Sequence, residues 1–126
     1  MLKLPFSKLS PAFLCLTLAW PLTGCGHTLQ VGSDRTLSVA LTEYHLNPQS
    51  ARVASGTLTI VVRNFGRLTH NLVISMNGQP AASTGPLAPG ESAAITADLS
   101  AGSYQMASTS LSDQALGEYG TLTVTP

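Results

Sequence analysis

The sequence predicts an all-β fold, a sandwich of about seven strands in one domain. Three observations point there. Apolar, often β-branched residues alternate with polar ones in short runs. Turn formers such as Asn77-Gly78, Pro89-Gly90 and Ala101-Gly102 separate those runs at short spacing. No stretch of the chain carries a long amphipathic helical periodicity. At 126 residues the chain has room for one core, so a second domain is not expected.

Taken in chain order, residues 1–24 read as an export leader: Lys3 and Lys8 without a nearby acid, an apolar run from Ala12 to Trp20, then the small residues Thr23 and Gly24 before Cys25. The apolar run is much shorter than the roughly 20 residues a spanning helix needs. Leu22-Thr23-Gly24-Cys25 resembles the lipobox of bacterial lipoproteins, which implies cleavage before Cys25 and a lipid on its thiol. Residues 25–35 are then the lipidated cysteine and a polar, mobile tether, and residues 36–126 are the folded domain. The expected location is the cell envelope, facing the periplasm. Gly26 stands where an inner-membrane retention aspartate would be, which favours the outer membrane if the host has one.

The first strands are expected over Thr36 to Tyr44 and Ala51 to Val53. Thr57 to Asn64 alternates and then turns continuously apolar, as a strand packed on both faces would. Thr69 to Ser75 follows, and Asn77-Gly78 closes it because both residues accept positive φ. Ser92 to Leu99, Ser103 to Thr109 and Gly120 to Thr125 complete the set, with one helical turn over Ser112 to Gly117 capped by Ser112.

Composition excludes some functions. Cys15 lies in the leader and Cys25 takes the lipid, so the mature domain has neither a disulfide nor a free thiol. Both lysines are in the leader. Arg35, Arg52, Arg63 and Arg67 face Asp34, Glu43, Glu91, Asp98, Asp113 and Glu118, leaving a slightly acidic domain with no electrostatic footprint for nucleic acid.

Two stretches carry a family resemblance. Glu43-Tyr44-His45-Leu46-Asn47-Pro48 and Val53-Ala54-Ser55-Gly56 lead into Asn64-Phe65-Gly66 and His70-Asn71. Later, Gly102-Ser103-Tyr104 runs to Gly117-Glu118-Tyr119-Gly120-Thr121-Leu122-Thr123-Val124. Together they resemble the cupredoxins, which implies a Greek-key β-sandwich. His70 matches the family's first copper ligand. The cysteine place holds Ser108, the second histidine place Asp113 and the axial methionine place Glu118.

A blue-copper centre needs a thiolate in a trigonal set with two imidazoles, and a serine hydroxyl cannot supply it. The resemblance therefore implies a non-redox binding or structural module with an envelope protein as partner, no enzyme and no expected cofactor. The alternative is a metal-binding protein using His70, Asp113 and Glu118, with Ser108 beside them, for zinc, non-blue copper or a similar ion. The preferred expectation for these residues is a hydrogen-bonded surface cluster with Arg67 as the cation pairing the acids. Ser108, His70 and Asp113 are not read as a hydrolytic triad, because no oxyanion loop accompanies them. His27 in the tether and His45, expected to face solvent, are given no role. Met76 and Met106 are read as gap-filling or surface residues.

Overall fold

In the computed structural model, which describes residues 26–110, 113 and 116–126, side-chain alternation sets the architecture. In β5 (Gly56–Asn64) Leu58, Ile60 and Val62 are fully buried while Thr57, Val61 and Arg63 point outward. In β2 (Thr36–Thr42) Leu37, Val39 and Leu41 do the same. Period-two alternation gives each strand one apolar face, and two such faces must meet to leave water.

They meet between two sheets. One has four strands in the order β3-β2-β5-β8, with β3 His45–Asn47 and β8 Ser92–Leu99. The other has six in the order β1-β4-β10-β9-β6-β7: β1 Leu29–Gln30, β4 Ser50–Ala54, β10 Tyr119–Thr125, β9 Gly102–Ala107, β6 Val73–Met76 and β7 Gln79–Ser83. β2 pairs parallel with β5, and β4 parallel with both β1 and β10, so the chain crosses repeatedly between sheets. Ala51, Val53, Ile74, Tyr104, Met106, Leu122 and Val124 form the six-stranded sheet's side of the core. Each fully buried large apolar side chain contributes about 1.5–3 kcal/mol.

Several local expectations are corrected. Among the described residues ten strands replace about seven. The tether contains β1: Leu29 and Gln30 pair with Ala51 and Arg52, and the Val31 amide donates to the Arg52 carbonyl at 2.9 Å. Thr36 to Tyr44 is not one strand, since Tyr44 adopts a left-handed φ of 58° and turns the chain into β3. β7, in a stretch for which no strand was expected, is a sheet edge, where the missing amide donor of Pro80 is tolerated. Val61 is 36% exposed, so β5 is packed on one face, not two. Asn77 and Gly78 form the expected tight turn, with φ of 50° and 77°.

At Gly120 a side chain is sterically forbidden, because a Cβ there would lie 2.5 Å from the Gln49 carbonyl oxygen. That approach lets the Thr121 amide donate to Gln49 at 2.8 Å and seats β10 against the β3–β4 connection. Among the described residues no helix is long and apolar enough to cross a membrane. Cys25, the leader and Ser112 lie outside the described residues.

Candidate functional site

Asn64, the last inward-facing residue of β5, is polar and fully buried. Its amide nitrogen donates to the Leu68 and Leu87 carbonyls at 2.7 and 2.8 Å, and its oxygen accepts from the Gly66 amide at 2.8 Å. These bonds fold residues 65–69 into a fixed loop. His70 follows, and its backbone bonds Leu87 in both directions at 3.1 and 2.8 Å, which sends the ring inward. The strand expected from Thr69 therefore begins only at Val73.

Ser108 lies one residue beyond β9, Asp113 in a 3₁₀ turn and Glu118 one residue before β10. The Ser108 amide donates to the Glu118 carbonyl at 3.1 Å and the Glu118 amide to the Asp113 carbonyl at 3.0 Å. The β9–β10 ladder thus extends past its strands and aims all three side chains to one side.

The four residues singled out in the sequence come together. His70 Nδ1 lies 2.8 Å from Asp113 Oδ2 and 3.0 Å from Glu118 Oε2. Ser108 Oγ donates to the same Asp113 oxygen at 2.7 Å. A carboxylate oxygen accepting from both groups places the imidazole proton on Nδ1. The expected surface cluster is corrected to a buried one: His70, Ser108 and Glu118 have no exposure and Asp113 has 2%. Arg67 is not the pairing cation; among the described residues the basic group within 4 Å of Asp113 and Glu118 is His70. One donor set results, comprising an imidazole nitrogen, two carboxylates and a hydroxyl within a few ångströms, with no sulfur.

Two participants were not singled out. Glu43, at the β2–β3 turn, accepts the Arg67 and Leu68 amides and stands 3.7 Å from His70 Nε2. Asn71 Oδ1 accepts from the Thr109 amide at 2.7 Å, and the Asn71 amide donates to Ser108 Oγ at 3.3 Å, joining the two loops. Sequence offered a hint only for Asn71, as the neighbour of His70. His27 and His45 are exposed and are not part of the cluster, Met106 is in the core and Met76 is half-buried against it.

Charge is poorly satisfied here. Both oxygens of Glu118 and the Nε2 of His70 are buried without a hydrogen-bond partner. Burial pushes the Glu118 carboxyl up to about 7, with Asp113 adding to the rise and His70 opposing it. The backbone amides of Arg67 and Leu68 hold Glu43 below the ordinary carboxylate value.

Comparison with known proteins bears on this geometry. No protein-family profile and no curated protein sequence matches the chain. Solved structures do. Reduced auracyanin from Roseiflexus castenholzii superposes with a TM-score of 0.68 at 24% identity, covering 75% of this chain and 100% of that one. Auracyanin A, a "blue" copper protein from Chloroflexus aurantiacus, gives 0.63 at 17% identity over 75% and 98%. A purple cupredoxin from Nitrosopumilus maritimus gives 0.53 at 17% identity over 71% and 99%.

The fold is cupredoxin-like. The cupredoxin-like sandwich carries the His/Asp/Glu group at one end, between the β5–β6 and β9–β10 connections.

Proposed function

We propose that the protein is a lipid-anchored, extracytoplasmic module of the cell envelope, held at Cys25 and facing the periplasm, in the outer membrane where the host has one. Its cupredoxin-like sandwich binds or supports an envelope protein and does not carry electrons. The observation behind this reading is Ser108: a buried hydroxyl donating to Asp113 stands at the family's cysteine place, and no thiol follows Cys25 in the sequence. A type 1 copper centre does not fit this donor set, since the thiolate both selects the metal and provides its electronic path.

One preparation tests both halves. In the full chain extracted from membranes in detergent, the mature N-terminus is expected to be a lipid-modified Cys25 by mass, and Cu(II) is expected to give no intense visible band. An unmodified Cys25 overturns the anchor, and a strong thiolate-to-copper band overturns the non-redox assignment.

A second reading is favoured by Glu118, whose two oxygens are buried and unpaired beside His70 Nδ1. A divalent cation such as zinc, held by His70, Asp113 and Glu118, supplies the partner they lack and offsets two buried carboxylates. The metal-free chain dialysed against zinc chloride is then expected to retain about one ion per chain, and Glu118→Gln to lose it. Retention of no zinc leaves the first reading alone.

A further inference from the structure

The route by which the tether leaves the sandwich fixes which end meets the membrane. β1, β4 and β10 run parallel, with Leu29 opposite Ala51 and Ala51 opposite Leu122. β10 starts at Tyr119, immediately after Glu118, so the chain before β1 leads toward the end of the sandwich that carries His70 and Glu118. Thr28 is held against β4 by Ser50, its hydroxyl 3.1 Å from the Ser50 hydroxyl.

Cys25 lies three residues before Thr28, which limits its distance to about 10 Å even in a fully extended chain. In register Thr28 is level with Thr121, two residues in from the site end of β10 and four residues, about 13 Å, from the last residue of that strand. Because β1 runs parallel to β10, the chain before it leads toward the site end, so a lipid on Cys25 brings that end closer to the bilayer than the other.

The exposed apolar side chains follow the same polarity. Among the described residues the exposed large hydrophobics are Leu29, Tyr44, Val61, Phe65, Leu68, Leu116 and Tyr119. All but Val61 lie on the tether, turns and loops of the site end or on the first residue of the strand that leaves it. Phe65 is 61% exposed, Leu116 56% and Tyr119 52%. Glu43, bound to the Arg67 and Leu68 amides, fastens the turn bearing Tyr44 to the loop bearing Phe65 and Leu68. Tyr44 and Tyr119 line one groove with Gly117. The acids at the centre of this end, Asp113 and Glu118, are buried, whereas Arg67 is exposed and the Arg63 guanidinium lies over the Phe65 ring at 4.9 Å. Tyrosine, phenylalanine, leucine and arginine are the side chains that settle at the boundary between headgroups and acyl chains.

We propose that the site end of the sandwich lies on the lipid surface, with Tyr44, Phe65, Leu68, Leu116 and Tyr119 as its contacts. This rests on the lipid anchor at Cys25. The occupant of the patch is the membrane that holds the anchor, because the short chain before β1 leaves the sandwich toward this face and the exposed apolar side chains cluster on it. Its consequence is that the His70 cluster opens toward the bilayer, not toward the bulk periplasm.

The test uses the full lipidated chain in phosphatidylcholine vesicles with brominated acyl chains. Trp20 leaves with the leader, so an introduced tryptophan is the only one in the mature protein. Phe65→Trp reports the site end and Ala101→Trp, in the β8–β9 turn, the opposite end. Bromolipid is expected to quench Phe65→Trp at least about twofold more than Ala101→Trp, and adding Leu68→Ser and Tyr119→Ser to reduce that quenching. Equal quenching at both ends, or none, overturns the proposal. So does a blue-shifted Phe65→Trp that bromolipid leaves untouched, which means that protein covers the patch. N-terminal mass separates the two failures: a lipid on Cys25 with unquenched Phe65→Trp leaves the anchor standing, whereas an unmodified Cys25 removes the premise.

Discussion

Ile60 and Glu118 are equally hidden from water, but by different company. Ile60 sits mid-strand among the apolar side chains of both sheets, where burial removes hydrocarbon from solvent and asks for no partner. Glu118 sits at the end of the sandwich, where burial strips a carboxyl of water and leaves both oxygens unpaired beside an imidazole and a second carboxylate. Packing in the middle is therefore insensitive to pH, whereas the loop end depends on a proton or a cation.

The largest effect is expected in the middle. Ile60→Ala leaves a cavity in a fully buried row and should cost about 2–5 kcal/mol by urea unfolding, equally at pH 5 and pH 8. A strong pH dependence of that cost would break the distinction.

The next effect belongs to Glu118 in metal-free protein. Its folded pKa of about 7 exceeds the ordinary 4.5, so between those values the folded chain holds a proton that the unfolded chain has lost. Its contribution is present at low pH and declines as pH rises from about 4.5 through about 7, by up to a few kcal/mol. Glu118→Gln, which stays neutral beside His70, Asp113 and Glu43, should flatten this decline in unfolding free energy. An unchanged profile would mean that Glu118 is ionised and satisfied throughout.

A smaller effect sharpens the comparison, because it concerns a polar group that does have a partner. The Tyr104 hydroxyl donates to the Ser100 carbonyl at 3.0 Å at the far end of the sandwich. Tyr104→Phe should cost about 1 kcal/mol with no change in the pH profile. A cost as large as that of Ile60→Ala would show that satisfied polar contacts carry this core.

These contrasts also explain what the sequence made legible. β2, β8 and β10 declare themselves because alternation is local and one sheet face is buried along each strand. β1, β3 and β7 do not, since two or three residues, or a strand containing Pro80, acquire strand geometry only from the neighbour they pair with. The convergence of His70, Ser108, Asp113 and Glu118 was readable through the spacing of the glycine and tyrosine framework around them. Their burial was not, because isolated carboxylates on loops are ordinarily solvated. Glu43 was invisible for a related reason: its bonds to Arg67 and Leu68 span more than twenty positions and reflect no local pattern.

The backbone bond from Ser108 to Glu118 closes the intervening loop at its base, and Asn71 clamps it from the side. Such a segment behaves as a cassette. Its ends are set by the sheet, so the entropy of closing it changes slowly with its length and the side chains inside can be rewritten without disturbing the ladder. The place of the Ser108 side chain is therefore set by the backbone frame around it and not by its own hydroxyl.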